Sequence, residues 1–173
     1  MLFRSIGRFD GDGAVSWVDG YGGNDFDDVT AIGVQPDGNI VAAGSFDSAV
    51  DFDRGAGSQL LSAQYLNDVF ILGLTPSGDY RWVRQFAGSG YQYPRDLAVG
   101  ADGGIAITGS FYDTVDFDPG VGQFLLTAPP GYTSAFIVKL DATGALSWAG
   151  SLGGAMQFGE SIAIDATEIG RAH

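Results

Sequence analysis

Two segments hold the residues best suited to chemistry. Asp51-Phe52-Asp53-Arg54-Gly55 and Asp116-Phe117-Asp118-Pro119-Gly120 each set two carboxylates around a phenylalanine and follow them with glycine. In an extended backbone this alternation puts Asp51 and Asp53 on one side of the chain, and Asp116 and Asp118 likewise. The nearby glycine lets backbone carbonyls turn inward, and such an oxygen set suits a hard cation, so these four aspartates are candidate Ca²⁺ ligands. Two carboxylates fall short of the roughly six to eight oxygens that calcium takes, and the third Asp and the Glu of an EF-hand loop are missing. The same letters also describe an aspartate capping a turn while Phe52 and Phe117 point into a core.

What the chain lacks removes most other chemistry. It has no Cys, and its one His is the last residue, His173. Thiol catalysis, disulfides, Cys-based zinc sites and a Ser-His-Asp triad are excluded on that basis. Paired carboxylates serve glycoside hydrolysis in other proteins, but here the aspartates recur at a fixed interval, as scaffold features do. No catalytic residue and no organic cofactor site is expected. Gly20-Tyr21-Gly22-Gly23 and Gly88-Ser89-Gly90 lack the strand-loop-helix setting of a phosphate cradle and read as loops. With 8 basic and 21 acidic residues the net charge is −13, which repels phosphate backbones, so nucleic acid is not an expected partner. No apolar run approaches the roughly 18 residues of a membrane span, and Met1 to Arg8 lack the apolar stretch of a signal peptide.

The elements that position these residues follow from a repeat. Residues 37–63 align without a gap to residues 102–128, with 15 of 27 pairs identical. Trp17, Trp82 and Trp148 fall in the same register, 65 and 66 residues apart, each a few residues after a glycine (Gly13, Gly78, Gly144). One repeat is therefore about 65 residues long. Of the 21 acidic residues 19 are Asp, which favours turns and caps over helix interiors, and 28 glycines would punctuate any long helix.

Four strands are predicted per repeat. In the first repeat they are Ala31 to Val34, Ile40 to Phe46, Val69 to Leu74 and Tyr80 to Phe86; in the second, Leu97 to Val99, Ile105 to Phe111, Ala135 to Leu140 and Ala145 to Leu152. The turns Pro36-Asp37-Gly38-Asn39 and Pro76-Ser77-Gly78-Asp79 join the first strand to the second and the third to the fourth. The third strand is apolar on both faces, so its sheet must be covered on both sides. Four-stranded sheets repeated radially meet that demand. The fold class is all-β, of β-propeller type, with four-stranded antiparallel blades and an incomplete ring; a β-sandwich is the alternative.

The run AIGVQPDGNIVAAGSF, then VDFDRGAG, then NDVFILGLTPSGDYRWVRQF resembles the SBBP-type β-propeller repeats of bacterial secreted and cell-surface proteins, and residues 94–152 match the pattern again. The resemblance covers about 23–165. It implies a non-catalytic propeller, one module of a longer exported protein, and transfers no catalytic residues. Gly33, Gly73 and Gly100 depart from the family pattern, which has Ala or a β-branched residue there, and weaken their strands.

The expected organisation is the last strands of a preceding blade in 1–22, blades in 23–87 and 88–152, and the first strand of a following blade in 153–167. A propeller needs roughly four to eight blades, so a fragment is expected, with the remaining blades as its partners. Residues 168–173 translate a nucleotide run resembling a sequencing adapter and read as a non-native tail. Long connections, about 47–68 and 87–96, share one face that also collects Asp25, Asp27, Asp28, Asp47, Asp51, Asp53, Asp113, Asp116 and Asp118. Function is expected on that face: binding of a protein or carbohydrate ligand, adhesion or scaffolding, outside the cell or at its surface. The alternative is part of an extracellular carbohydrate-active enzyme whose catalytic residues lie elsewhere. The three tryptophans are expected to pack between blades.

Overall fold

Strand positions follow the apolar runs and the turn chemistry. A computed structural model describes residues 4–23, 26–153, 156–165 and the backbone of 171–172. Among them there is no helix. In chain order the strands are β1 (Arg4–Phe9), β2 (Val15–Tyr21), β3 (Asp28–Val34), β4 (Ile40–Phe46), β5 (Ala49–Asp51), β6 (Leu60–Ser62), β7 (Asp68–Leu74) and β8 (Tyr80–Gly88). They continue as β9 (Gln92–Val99), β10 (Ile105–Tyr112), β11 (Thr114–Asp116), β12 (Leu125–Thr127), β13 (Thr133–Leu140), β14 (Leu146–Leu152), β15 (Ile162–Ala163) and β16 (Arg171–Ala172). The protein is all-β, with antiparallel sheets throughout.

Strands β3, β4, β7 and β8 form one antiparallel meander, and β9, β10, β13 and β14 form a second. Their registers repeat: Ile40 pairs with Leu74 and Gly73 with Trp82, while Ile105 pairs with Leu140 and Lys139 with Trp148. Every residue of β4 and β7 is buried, as an apolar strand covered on both faces requires. The tight turns share one hydrogen-bond pattern. Gln35 and Thr75 each accept from the N–H three residues on and donate to the carbonyl four residues on, and Asp10, Gly100 and Asp141 repeat this. Positive φ at Gly38 and Gly78, 85° and 92°, completes this short hairpin loop, which a side chain would strain.

The sheets stack face to face. One apolar layer joins the two meanders, with Val41, Val69, Ile71, Trp82 and Phe86 on one side and Ile107, Phe111, Phe117, Phe136 and Val138 on the other. A second layer joins β1 and β2 to the first meander through Ile6, Tyr21, Phe46, Phe52, Phe70 and Leu72. Phe46, Phe52 and Phe70 form a ring cluster with centroids 4.9 to 6.3 Å apart, and Phe111, Phe117 and Phe136 repeat it one sheet later.

Strand glycines have a steric role that composition does not show. A Cβ on Gly44 would lie 2.7 Å from the Phe70 ring across the strand pair, and one on Gly109 would lie 2.9 Å from Phe136. Gly33 gives way in the same manner to Leu97 and Val99 of the next sheet, and Gly73 to the indole of Trp82. These residues seat neighbouring side chains, at some cost in strand propensity. Gly100 lies beyond its strand, in the turn that its N–H closes onto Gly104.

The long connection between second and third strands is itself structured. It folds into a small hairpin, β5–β6 in one repeat and β11–β12 in the next. Ser48 and Asp113, both at positive φ (60° and 65°), make the sharp entry. Strand β11 then pairs with β8 of the preceding meander, Val115 opposite Gly88 and Asp116 opposite Ala87. Arg171–Ala172 pair with Ile162–Ala163 in the register by which β9 pairs with β10. The rest of the expected tail, Glu168 to Gly170 and His173, lies outside the described residues, as does Asp25.

Candidate functional site

Each Asp-Phe-Asp segment closes the tip of its small hairpin. The Asp51 carboxylate accepts the N–H of Asp53 at 3.1 Å, the N–H of Gln59 at 2.7 Å and the hydroxyl of Ser58 at 2.7 Å. Asp53 accepts the N–H of Gly55 at 2.9 Å. The second repeat copies this: Asp116 accepts from Asp118 at 3.0 Å and Phe124 at 2.8 Å, and Asp118 accepts from Gly120 at 2.8 Å. Between each pair the phenylalanine turns inward, leaving Phe52 and Phe117 buried. Gly57 and Gly122 lie against the second oxygen of Asp53 and Asp118, closer than a Cβ would permit.

Chemically these are aspartates ligating their own backbone. The Gln59 N–H, then the Ser58 hydroxyl and the Asp53 N–H, hold the Asp51 carboxyl below its ordinary value. A lowered folded pKa means that ionised Asp51 favours the folded state above the unfolded pKa, and that this contribution is lost as pH falls through the folded pKa. Among the described residues no group of three or more His, Cys, Asp or Glu side chains is placed to share a metal ion. Asp27, expected on the acidic face, is buried and accepts the Gly23 N–H at 2.6 Å.

Asp116→Ala is expected to destabilise the fold by about 1 kcal/mol, since two backbone N–H groups lose their acceptor. In Asp53, Asp116 and Asp118 these donors meet one carboxylate oxygen each, so the calcium expectation is tested by melting in Ca²⁺ and in chelator: equal melting temperatures are the result expected of purely turn-forming aspartates. A calcium-dependent rise in the wild type that Asp51→Asn and Asp116→Asn abolish would instead establish a metal site.

Asp116 and Asp118 also line a groove of about 700 Å³ that runs between the two small hairpins. Its floor is β8, from Val83 to Gly88; Leu61 and Tyr65 stand on one side, Gln123 and Leu125 on the other. Asp51 and Asp53 are not among its walls, so the structure separates the two pairs. Arg84 lies along the groove, but its guanidinium donates to the carbonyls of Thr143 (3.0 Å) and Gly144 (3.3 Å) and sits 5.3 Å from the Trp82 ring centre. Gln85 donates to Asp68 at 2.5 Å and to the Ser62 carbonyl at 3.0 Å. Tyr65, Arg84, Gln85 and Gln123 belong to no motif that marks a site in the sequence. The available signal was departure from the repeat, since Gly150 and Ser151 stand where the first repeat has Arg84 and Gln85.

The tryptophans lie on β2, β8 and β14. A Cβ on Gly78 would meet the Trp17 ring at 2.8 Å, and one on Gly144 would meet Trp82 at 3.0 Å, so each indole covers the turn of the sheet after it. Trp17 Nε1 donates to the Pro76 carbonyl at 3.1 Å. No protein-family model matches this chain, and no curated protein matches it.

Proposed function

We propose that the chain is a β-propeller segment in which each four-stranded sheet is a blade, and that it acts as a non-catalytic binding scaffold of an exported or cell-surface bacterial protein. One observation carries this reading: two meanders with the same register, stacked through a single shared apolar layer. The ligand-facing part is the groove between the small hairpins. These belong to the long connections, where a rigid scaffold leaves sequence free to vary.

The groove combines amides (Gln64, Gln85, Gln123), the exposed ring of Tyr65 and the carboxylates of Asp116 and Asp118. Amides and carboxylates bond hydroxyl or peptide groups, and an aromatic face covers apolar C–H surface. A chain of net charge −13 disfavours anions, so the fitting ligand is a neutral or cationic glycan or peptide. Screening immobilised glycans and peptides is expected to find one of these classes, with Tyr65→Ala and Gln123→Ala each weakening the hit about tenfold. Retained binding by both variants would move the ligand elsewhere, and the absence of any hit would end the binding reading.

A further inference from the structure

The outer edge of β8, which floors the groove, is only partly covered. Successive residues of a strand aim their N–H and C=O groups to opposite sides. The Gly88 N–H turns to Asp68 of β7, whereas the N–H of the next residue, Ser89, turns the other way, to the Thr114 carbonyl. Odd-numbered residues of β8 therefore face outward. Ala87 meets Asp116 of β11, and the Val83 carbonyl accepts from the Arg84 guanidinium at 3.0 Å. Among the described residues β11 pairs with β8 only at Ala87 and Gly88, so the edge at Gln85 and Val83 has no strand opposite it, and both residues line the groove.

The carboxylate wall differs from its counterpart in the first repeat. There the Ser58 hydroxyl donates to the second oxygen of Asp51 at 2.7 Å. Gln123 stands at that position in the second repeat, and the two N–H groups that Asp116 accepts, from Asp118 and Phe124, go to the same oxygen, Oδ1. Oδ2 of Asp116 is left for a ligand. The charged residues lining the groove are Asp116, Asp118 and Arg84. The guanidinium is already shared among the carbonyls of Val83, Thr143 and Gly144, so two carboxylates outweigh one engaged cation and favour a positive group. The opposite wall is apolar and aromatic, with Leu61 and the ring of Tyr65, which is 68% exposed.

We propose that a linear peptide binds here as an added β-strand, pairing its backbone with Gln85 on the edge of β8 and placing a lysine or arginine side chain at Asp116 and Asp118. The proposal rests on the groove reading above and deepens it. A strand edge offers N–H and C=O at every second residue, a spacing that another extended backbone matches and a glycan does not. The free stretch from Val83 to Phe86 is about 13 Å long at roughly 3.3 Å per residue, so a short segment covers it. Main-chain bonds then supply affinity and alternate side chains specificity: the basic one meets the carboxylates, and its neighbours meet Leu61 and Tyr65.

Selection from a phage-displayed library of linear heptapeptides on the full chain supplies the probe, and the enriched sequences are expected to carry a Lys or Arg beside an apolar residue. Two substitutions remove the charge pair: norleucine for the basic residue of the synthetic peptide, which leaves the protein untouched, and Asp116→Asn, which keeps an oxygen for the two N–H groups. Each is expected to weaken binding about tenfold and to flatten its salt dependence. Methylating the peptide N–H groups one at a time is expected to weaken binding about tenfold at alternate positions only, the signature of a strand whose every second N–H bonds to β8. Binding that tolerates methylation everywhere, or that neither charge substitution alters, would overturn the proposal. So would a selection that enriches no peptide; a glycan hit that Tyr65→Ala weakens would then assign the groove to a glycan and keep the binding scaffold, whereas no hit of either class would end both readings.

Discussion

Phe117→Ala is expected to be among the most damaging single changes in the chain, costing about 3–5 kcal/mol of unfolding free energy. The ring is 1% exposed and lies 5.1 to 5.4 Å, centre to centre, from Phe86, Phe111 and Phe136. Those partners come from β8, β10 and β13, so one truncation opens a cavity shared by both meanders. It also frees the β11–β12 hairpin, whose pairing with β8 spans only Val115 and Asp116. Such a loss is comparable with a large part of the roughly 5–15 kcal/mol that holds a typical domain folded. Phe124→Ala is the control: it lies on the same hairpin but is 38% exposed, and about 1 kcal/mol or less is expected. Urea unfolding of both variants measures the difference, and similar midpoints would mean that the hairpin phenylalanine does not anchor the layer.

Asp68→Ala is the second large effect. This aspartate is fully buried at the start of β7, and its carboxylate accepts from Gln64 N–H (3.0 Å), Gly88 N–H (3.3 Å), Gln85 Nε2 (2.5 Å) and Gln92 Nε2 (3.2 Å). Asn67 adds a 2.5 Å bond to the Gln92 carbonyl, so the cluster ties β7 and β8 to the first strand of the next sheet. Removing the acceptor strands several buried donors, and about 3 kcal/mol of destabilisation is expected.

The hydrogen-bond partners of Asp68 are all neutral, and burial pushes its pKa up against the pull of those four donors. The folded chain thus holds this proton more tightly than the unfolded chain does. The stability from that difference is full below the unfolded pKa, near about 4, and is lost as pH rises through the folded pKa. Asp68→Asn removes the titration. Its amide nitrogen would meet Gln92, whose Oε1 is buried without a hydrogen-bond partner, so a turn of the Gln92 amide restores that pair and only the Gly88 N–H, which shares the same oxygen, loses its acceptor. Asp68→Asn is therefore expected to be far milder than Asp68→Ala and to lose stability less steeply on raising pH from the acid side. Parallel pH profiles for wild type and Asp68→Asn would rule out a titrating Asp68.

The repeat, the strands and the tight turns are legible in the sequence because each depends on neighbours in the chain. Apolar residues that must be covered on both faces fix β4 and β7, and a glycine at positive φ fixes each hairpin turn whatever lies around it. The inward Phe of the Asp-Phe-Asp segments was legible for the same reason, as was the capping role open to its aspartates. Sequence left the choice between capping and metal open, because the direction of a carboxylate depends on which N–H groups the closed loop presents. Only the fold brought Ser58 and Gln59 back to Asp51.

Contacts between sheets lay further out of reach. The pairing of β11 with β8, the union of Asp68 with Gln92, and the groove joining Tyr65 to Gln123 all link segments from successive repeats. Within one repeat, Asp68 reads as the ordinary polar start of a strand, and the second repeat carries Ser134 in its place. Local propensity and turn chemistry determined the strands of this protein. Which polar groups meet was decided by how two sheets of nearly equal sequence slide against each other until their aromatic layers interlock, a registration that no short stretch of chain contains.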